Sequence, residues 1–521
     1  MKTEINEKTQ KPDKRKRARY ITSGVLMLLA CVVFFATVWF LIQYDDIRLD
    51  QILYQMQAPA DGTPSYYTGR AVSNVGAWSI LAAAGLFGLY MLLSGRVKKL
   101  IDRSNGYRKY VQGKVCDYFR EHYISLSAYL LTAALLFFLV ELKAIPYLVT
   151  TSTPSDFIEE NYVKPEQSLL TFPEKKRNLI YIFLESMENT YAQDSDGDGV
   201  RNNYIPELAQ LADAHINFSE SESLGGALNY DGTTWTASAL VSQTSGMPVK
   251  VPLLAGNFGG EDVPYMPGIV SIGSLLQEQG YKQVFLMGSD AGFGGRRHYI
   301  MEHGNYEIGD TKAMIAAGKL PAGYAQWWGY EDAKLFQFAK ETVTELASTG
   351  SPFNLTMLTA DTHFPDGYIC PSCKSEHESQ YANVLACSSA MVYEFVTWVQ
   401  QQDFYENTTI VISGDHLTMD PEFLEDIDEN YTRTIYNCII NAAVEPVQEK
   451  NRQFGVFDMF PTTLAAMGVE IKGNRLALGT NLFSGEKTLT ELHGQEFLNL
   501  ELRKNSQFYN NEILNVTEPT Q

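Results

Sequence analysis

The sequence predicts an α/β fold, with a mostly parallel sheet flanked by helices and preceded by three transmembrane helices. Three apolar segments in the first 143 residues each approach the length needed to cross a bilayer, which is about 20 residues. After residue 178, apolar runs of strand length end in polar residues and alternate with helical patterns. Near-continuous apolar runs are typical of parallel strands that are buried on both faces.

The three apolar segments lie at about residues 20–43, 76–95 and 124–142. The first segment is too long for a cleavable signal peptide, and two further apolar segments follow it. The alternative, that the three apolar segments are helices buried in a protein core, is less favoured. We therefore expect residues 1–143 to form a membrane region with three transmembrane helices.

Basic residues concentrate in two stretches of an otherwise acidic chain. Residues 1–19 and residues 96–121 each hold eight Lys or Arg against three Asp or Glu, whereas the net charge of the whole chain is −20. Because basic loops stay in the cytoplasm, the loop 45–70 and everything after about Lys143 are predicted to lie outside. The acidic body argues against a nucleic-acid partner, which requires a basic surface.

The rest of the chain divides into three parts. Residues 144–177 contain four prolines and show no clean hydrophobic period, so they are predicted to form a linker. An extracytoplasmic α/β domain is expected over residues 178–500. Residues 501–521 are expected to form a polar tail.

Four of the six cysteines lie in the predicted outer domain, where oxidising conditions permit disulfides. They are Cys370, Cys373, Cys387 and Cys438. The first two form a CxxC pair, but a zinc site needs two further ligands at suitable spacing. A local disulfide or two inert thiols are therefore each favoured over zinc.

Four predicted strands end in side chains that could bind a ligand. Residues 178–184 lead to Glu185, 283–287 to Asp290, 353–358 to His363, and 408–412 to Asp415 and His416. Because the carboxyl ends of parallel strands meet at one edge of a sheet, these side chains are expected to lie close together. Helices are predicted between the strands, over residues 268–279, 330–348, 381–402 and 459–467.

The stretch from Tyr230 to Pro248 places three hydroxyls at the start of a short predicted helix over residues 237–244. They belong to Thr233, Thr234 and Thr236. A hydroxyl at this position commonly caps the helix. The same position also suits a nucleophile aimed at a phosphate, because unpaired N–H groups and the helix dipole favour an anion there.

Two carboxylates, one imidazole and a hydroxyl oxygen form a reasonable ligand set for a single divalent metal. Oxygen-rich ligation with one nitrogen suits Mn²⁺, Mg²⁺ or Zn²⁺. The metal would lower the pKa of a threonine hydroxyl and offset the negative charge of a phosphate. For Asp415 and His416, a polar turn at the end of a strand is the alternative.

The outer domain contains a series of motifs in a specific order: NLIYIFLES, TTWTASALVSQTSGMP, GSDAGFGGRRHY, LTADTHFPDGY, VISGDH, and DMFPTTLAAMG followed by RLALGTNLF. With these motifs, the chain from Asn178 to about Phe483 resembles the lipoteichoic acid synthase and phosphoglycerol transferase family, within the alkaline phosphatase and sulfatase superfamily. The resemblance implies an alkaline-phosphatase/sulfatase-like fold. The C/S-x-P-x-R motif of sulfatases is absent from the sequence, which argues against sulfatase activity.

The resemblance also implies the positions of the metal ligands and the nucleophile. The ligands fall on Glu185, Asp415 and His416. The nucleophilic threonine, which also binds the metal, falls on Thr236, directly after Trp235. The two preceding threonines are then turn residues.

The substrate-side residues follow from the same resemblance. The arginine that contacts the phosphate falls on Arg296, with Arg297 as the rival. The substrate-side histidine falls on His363, which would protonate a leaving oxygen, activate the acceptor or only bind substrate.

The implied function is that of a membrane-anchored phosphoglycerol transferase. Thr236 would attack the phosphorus of phosphatidylglycerol, release diacylglycerol and form a glycerophosphoryl-threonine. An envelope glycan, a glycolipid or a teichoic acid would then accept the glycerol phosphate. One divalent metal is implied, Mn²⁺ ahead of Mg²⁺ or Zn²⁺. The protein would be a multi-pass protein of the bacterial plasma membrane, with its catalytic domain on the extracytoplasmic face.

Three other functions remain open at this point. A phosphoethanolamine transferase of the same superfamily tends to carry more histidines in its site than a chain with eight in total can easily supply. A phosphodiesterase or other hydrolase would use water as the acceptor. An inactive membrane-anchored binding protein is disfavoured because the expected metal ligands and the nucleophile are all present.

Two further features have ordinary alternatives. The acidic stretch Asp194–Asp198 resembles the start of a calcium-binding loop, but Ile205 stands where a bidentate acid is expected, so a solvated loop is favoured. Trp327 and Trp328 would suit a glycan or glycerol site, and stacked core aromatics are an equal alternative.

Overall fold

The computed structural model describes residues 14–44, 47–63, 65–93, 114–192, 200, 202–253, 256–260, 262–420, 422–425, 427–428 and 430–515. The chain divides into two units, one within residues 1–47 and 65–146 and the other within residues 48–64 and 147–521. The stretch Asp194–Asp198 lies outside the described residues, so the structure does not bear on the calcium-loop interpretation.

Helices build the described part of the first unit. They are Lys14–Gln43, Ser65–Ala71, Trp78–Leu93 and Lys114–Glu141, with a π-helical segment at Val72–Ala77. Three segments, 18–43, 68–93 and 121–141, are apolar and long enough to cross a membrane. They overlap the three segments that the sequence predicted as transmembrane helices.

A seven-stranded mixed sheet organises the second unit. Its strands are β1 (Asn178–Leu184), β2 (Gly226–Ala227), β3 (Lys282–Met287), β4 (Glu307–Gly309), β5 (Phe353–Leu358), β6 (Thr408–Gly414) and β7 (Ile435–Ile440). The spatial order is β2-β7-β6-β1-β5-β3-β4. Strands β6, β1, β5, β3 and β4 are parallel, whereas β7 runs antiparallel to both of its neighbours. The predicted α/β fold is confirmed.

Helices surround this sheet. Those used below are α1 (Leu49–Gln57), α2 (Thr236–Ser245), α3 (Arg296–Glu302) and α4 (Gln380–Gln400). The other α-helices are Ala144–Ser152, Phe157–Asn161, Pro206–Ala214, Ile272–Glu278, Thr311–Ala316, Asp332–Ser348, Met459–Ala466, Leu489–His493 and Gln495–Arg503. Short 3₁₀ turns lie at Gln167–Leu169, Asn189–Tyr191, Phe293–Gly295, Tyr405–Asn407 and Val456–Asp458, and a π-helical turn lies at Tyr509–Leu514.

Three two-stranded ribbons complete the secondary structure of the described residues. They pair Leu170–Thr171 with Glu470–Ile471, Phe258–Gly260 with Val263–Tyr265, and Arg475–Leu476 with Gly479–Thr480.

Helix α4 is also long and apolar enough to cross a membrane, yet it belongs to the α/β unit. Of its most apolar window, 61% is buried, and Leu385, Val392 and Val396 lie in the same apolar cluster as residues of the central strands. We interpret α4 as a domain helix whose apolar face covers the sheet.

The register of the sheet aligns the carboxyl ends of its central strands. Leu184 of β1 pairs with Gly414 of β6, and Leu358 of β5 pairs with both Phe183 and Met287. The residues that follow these strands therefore leave the sheet at one edge. Every residue of β1, β5 and β6 is buried, which explains their continuous apolar character.

Two regions are more structured than the sequence suggested. Residues 144–177, expected to be a linker, contain two α-helices, a 3₁₀ turn and a strand. Residues 501–515, expected to belong to a polar tail, bury Tyr509, Ile513 and Leu514 in the core of the α/β unit. Their apolar side chains are too few and too widely spaced in sequence to reveal this packing.

Residues 48–63 form part of the α/β unit, although they lie between the first two apolar helices in sequence. Tyr54 is 2% exposed, and its hydroxyl donates to the carbonyl of Gly294 at 2.7 Å. Its ring lies 5.1 Å from that of Trp235. Arg48 forms an ion pair with Asp231. Asp231 lies in the turn that precedes α2.

Candidate active site

Three predicted site residues converge at the carboxyl edge of the sheet. Glu185 follows β1, and Asp415 and His416 follow β6, the neighbouring parallel strand. Ligand atoms from all three side chains lie within 4.8 Å of one another, and all three are buried. The alignment of the two strand ends therefore produces a compact cluster of two acids and one imidazole.

Thr236 is the first residue of α2, and its hydroxyl points at this cluster. Its Oγ1 donates a 3.2 Å hydrogen bond to Oε2 of Glu185 and lies 3.4 Å from Nε2 of His416. The N-cap residue of α2 is Trp235, whose side chain makes no capping hydrogen bond. Helix α2 ends at Ser245, and the next residue, Gly246, has a φ of 71°, which lies in the left-handed region that favours glycine.

The other two threonines of the stretch have different partners. Thr233 Oγ1 donates to the carbonyl of Tyr230 at 2.8 Å, which closes the turn before the helix. Thr234 Oγ1 accepts a 3.1 Å hydrogen bond from the side-chain amide of Gln51. Of the three hydroxyls, that of Thr236 is therefore the one directed at the acidic cluster.

The cluster fits a divalent cation. Nδ1 of His416 lies 2.8 Å from the carbonyl of Leu417, a contact that places the proton on Nδ1 and the lone pair on Nε2. Oδ2 of Asp415 is buried and has no hydrogen-bond partner among the described residues. A buried carboxylate oxygen without a donor is a costly arrangement that a metal would satisfy.

The electrostatics of the cluster also favour a cation. Burial raises the pKa of Asp415 to about 7, and the negative charge of Glu185 adds to that rise. Burial also opposes ionisation of Glu185, but His363 and His416 hold its pKa below the ordinary value. Burial alone would lower the pKa of His416, yet Asp415 and Glu185 raise it. A divalent cation would relieve this crowding of negative charge.

A small cavity of about 30 Å³ lies beside Thr236 and Glu185. The residues that line it are Glu185, Thr236, Ser289, Phe293, Arg296, Trp328, Leu358, Thr359, Ala360 and His363. Four of the predicted site residues thus share one concave space, in which an acid, a hydroxyl, a guanidinium and an imidazole face each other.

Arg296 and Arg297 lie in different surroundings. Arg296 is 6% exposed, lines the cavity, and donates to Ser289 Oγ at 3.2 Å and to the carbonyl of Phe293 at 2.9 Å. Arg297 forms an ion pair with Asp310, and its side chain is 39% exposed. The geometry favours Arg296 as the cation that faces a ligand beside Thr236.

His363 also lines the cavity. Its Nδ1 lies 2.7 Å from the carbonyl of Phe364, and its ring packs 4.7 Å from that of Trp328. Burial lowers the pKa of His363, although the charge of Glu185 opposes that shift. At neutral pH the imidazole is therefore uncharged, which is the form of a general base.

The sequence did not single out three residues that the structure adds to this region. Ser289 and Thr359 each follow a strand by one or two positions, and Thr359 Oγ1 accepts the backbone N–H of Glu185 at 2.9 Å. Their positions directly after predicted strands could have identified them as residues of the carboxyl edge of the sheet. Gln51, which bonds to Thr234, is too distant in sequence to have been found.

Asp290, predicted to reach the same edge, does not line the cavity. Its Oδ2 forms an ion pair with Nζ of Lys312 at 2.6 Å. Its Oδ1 accepts a 2.8 Å hydrogen bond from the backbone N–H of Gly292. Asp290 therefore shapes the turn that leads to α3.

Comparison with known proteins shows which proteins the chain resembles. Residues 177–469 match the model of the sulfatase family, which covers more than half of the chain. The chain is similar to Phosphoglycerol transferase I of Xanthomonas campestris pv. campestris, with 29% identity over 319 residues, or 60% of this chain and 43% of the relative. Phosphoglycerol transferase I of Salmonella choleraesuis is 28% identical over 340 residues, or 63% of this chain and 41% of the relative.

These matches confirm the resemblance to phosphoglycerol transferases, although the chain spans less than half of the length of either curated relative. A solved structure of an alkaline phosphatase superfamily protein from Vibrio parahaemolyticus has a TM-score of 0.49 and 19% sequence identity. That similarity covers 64% of this chain and 79% of the other.

Proposed function

The chain belongs to the sulfatase family, and we propose that it is a membrane-anchored phosphoglycerol transferase. It would move glycerol phosphate from phosphatidylglycerol to an envelope glycan, glycolipid or teichoic acid acceptor. One observation carries the proposal. The hydroxyl of Thr236, at the first turn of a buried helix, lies between a carboxylate and an imidazole that fit a metal site.

The first half-reaction would transfer the headgroup to the protein. Thr236 Oγ1 forms a bond to phosphorus, and the bond from phosphorus to the diacylglycerol oxygen breaks. One proton leaves the threonine hydroxyl, and the departing diacylglycerol oxygen gains one. The product is a glycerophosphoryl-threonine.

The metal would be held by Glu185, Asp415, His416 and the Thr236 hydroxyl, and the oxygen-rich ligand set favours Mn²⁺, with Mg²⁺ or Zn²⁺ as alternatives. Such a cation lowers the pKa of the hydroxyl and offsets phosphate charge. Glu185 accepts the hydrogen bond of Thr236 and thereby orients the nucleophile. His416 is held in one tautomer by the carbonyl of Leu417.

Arg296 would bind the phosphoryl oxygens. It is buried, lines the same cavity as Thr236, and is positioned by the carbonyls of Phe293 and Asp290 and by Ser289. A pre-positioned cation that faces the developing charge stabilises the transition state without reorganisation.

His363 would act in the second half-reaction. Because burial lowers its pKa, the neutral imidazole suits removal of a proton from the acceptor hydroxyl, whose oxygen then attacks phosphorus. The bond from phosphorus to Thr236 Oγ1 breaks, and the threonine regains a proton. Trp328, packed against His363, would contact the glycerol or the acceptor.

The membrane arrangement supports a lipid donor. Residues 48–63 and 147–515 form parts of one unit, so both must lie on the same side of the membrane. The basic excess in residues 1–19 and 96–121 favours a cytoplasmic location for these two stretches, and therefore an outer location for residues 48–63 and 147–515. We therefore place the catalytic domain on the extracytoplasmic face of the bacterial plasma membrane.

The test uses the full-length protein in detergent with a fluorescent phosphatidylglycerol and Mn²⁺. Release of diacylglycerol is expected for the native protein and for Thr236→Ser, which keeps a hydroxyl, at a reduced rate. Thr236→Val keeps the volume but removes the hydroxyl, so release should stop. Unchanged release in Thr236→Val would overturn the nucleophile assignment.

The same assay separates the alternatives. Release from phosphatidylethanolamine instead of phosphatidylglycerol would identify a phosphoethanolamine transferase. Free glycerol phosphate as the sole product in the presence of acceptors would identify a hydrolase. A complete lack of release from either lipid would point to a binding protein.

A further inference from the structure

A second cluster of side chains that could hold a metal ion lies outside the site described above. The thiols of Cys370, Cys373 and Cys387 lie within 4.8 Å of one another. Cys370 and Cys373 belong to the loop after β5, which also carries His363, whereas Cys387 lies on helix α4. The fold thus adds a third thiol to the CxxC pair.

The distances between the sulfurs are those of a metal site. Cys370 Sγ lies 3.5 Å from Cys373 Sγ and 3.8 Å from Cys387 Sγ. Around a tetrahedral Zn²⁺ with Zn–S bonds of about 2.3 Å, two neighbouring sulfurs are about 3.8 Å apart. The sulfurs of a disulfide are only about 2 Å apart. The thiols therefore have the spacing of two edges of a zinc tetrahedron.

A hydrogen-bonded turn joins the first two cysteines. The backbone N–H of Cys373 donates to the carbonyl of Cys370 at 3.0 Å. A turn of this kind limits the separation of the two residues at its ends, and so of the thiols that they carry. A C-x₂-C turn is also a common source of two zinc ligands.

We propose that Cys370, Cys373 and Cys387 form a second metal site, which binds one Zn²⁺ through three thiolates. Binding releases the thiol protons and changes no oxidation state. Thiolates are soft ligands, which select zinc over Mn²⁺ or Mg²⁺. Cys370 is 1% exposed, whereas Cys373 is partly exposed, so water can reach the fourth coordination position from that side.

The position of this site gives it a structural consequence. Zinc would fasten the loop that carries His363 to helix α4, and Cys370 follows His363 by only seven residues. The site would therefore position the substrate-side wall of the cavity. It does not involve the cluster formed by Glu185, Asp415 and His416, so it stands or falls independently of the proposed transferase activity.

The test measures metal in full-length protein purified in detergent without chelator and then equilibrated with Zn²⁺. One thiolate-bound zinc per chain is expected, and it should remain in Glu185→Gln, which weakens the other metal cluster. Cys387→Ser should lose it. Cys438→Ser is the matched control, because Cys438 is buried on β7, and its zinc content should equal that of the native protein.

Two measurements on the unmodified protein keep the proposal testable if a variant misfolds. Capping thiols with p-hydroxymercuribenzoate should release zinc in step with the loss of three thiols. Replacement of zinc by Co²⁺ should produce a thiolate-to-cobalt charge-transfer band. A disulfide joining any two of the three cysteines in non-reduced peptide maps would overturn the proposal, as would three titratable thiols that retain no zinc.

Discussion

The side-chain amide of Gln51 donates a 3.1 Å hydrogen bond to Oγ1 of Thr234, two positions before Thr236. Residue 51 lies between the first two apolar helices, and 183 positions separate it from its partner. A segment that is remote in sequence therefore supports the turn that presents the candidate nucleophile.

Loss of this hydrogen bond should slow the reaction. A neutral hydrogen bond contributes about 1 kcal/mol, so Gln51→Ala should lower the rate of diacylglycerol release by about fivefold. Gln57→Ala is the control, because Gln57 lies on the same helix but donates to the carbonyl of Pro252. Equal rates for the two variants would show that the turn does not depend on Gln51.

The two adjacent arginines should differ sharply in their effect on catalysis. Arg296→Lys loses the fork of donors that faces the cavity, so kcat/KM should fall by about 10- to 100-fold. Arg297→Lys keeps a cation beside Asp310 and should change kcat/KM by less than about threefold. Steady-state kinetics with phosphatidylglycerol measure both. A larger loss of kcat/KM in Arg297→Lys than in Arg296→Lys would assign the phosphate contact to Arg297 instead.

Metal binding should stabilise the α/β domain. Without a cation, Glu185 and Asp415 crowd negative charge in a buried space. At a free Mn²⁺ concentration 100 times the dissociation constant, binding should add about 2.7 kcal/mol to the free energy of unfolding. Melting of chelator-treated protein, with and without added Mn²⁺, measures this gain. Asp415→Asn should reduce the gain, and an unchanged gain would place the metal elsewhere.

Lys250 should make stability depend on pH above neutrality. Its Nζ donates to the backbone carbonyls of Leu502 and Lys504, and burial lowers its pKa to about 7. Between pH of about 7 and 10 the unfolded chain binds the proton that the folded chain has lost. The free energy of unfolding should therefore rise with pH in this window, by at most about 1.4 kcal/mol per pH unit.

Unfolding of Lys250→Met over the same pH range provides the check. Methionine does not titrate, so the slope of stability against pH should become flatter. Lys472→Met serves as the control, because Lys472 is exposed, and the slope should not change. A slope that is the same in Lys250→Met and in the native protein would contradict the assignment.

The sequence predicted the central strands well because their signal is local. Strands β1 and β5 have the predicted bounds, since buried parallel strands are continuous apolar runs between polar residues. The proximity of Glu185 and Asp415 follows from the same reasoning, because the carboxyl ends of parallel strands lie at one edge of a sheet. Since β1 and β6 are also neighbours in the sheet, this pair was the most predictable part of the site.

Other features depend on contacts that no local pattern records. Tyr54 reaches Tyr265, and Cys387 reaches Cys370 from the second turn of a long helix. Tyr509 is buried although most of its neighbours in sequence, apart from Phe508, are polar. In each case the side chain is placed by packing between distant segments, and composition alone suggests a loop, an inert thiol or a tail.

The burial of Tyr54 also has a consequence for how the protein folds. This side chain leaves the ribosome more than 200 residues before Tyr265, its hydrogen-bond partner at 2.7 Å. Contacts between such distant residues carry a large loop-closure cost and tend to form late in folding. The segment 48–63 therefore cannot pack against its partners until most of the α/β domain has been synthesised. Until then, its apolar residues are not buried in the domain core.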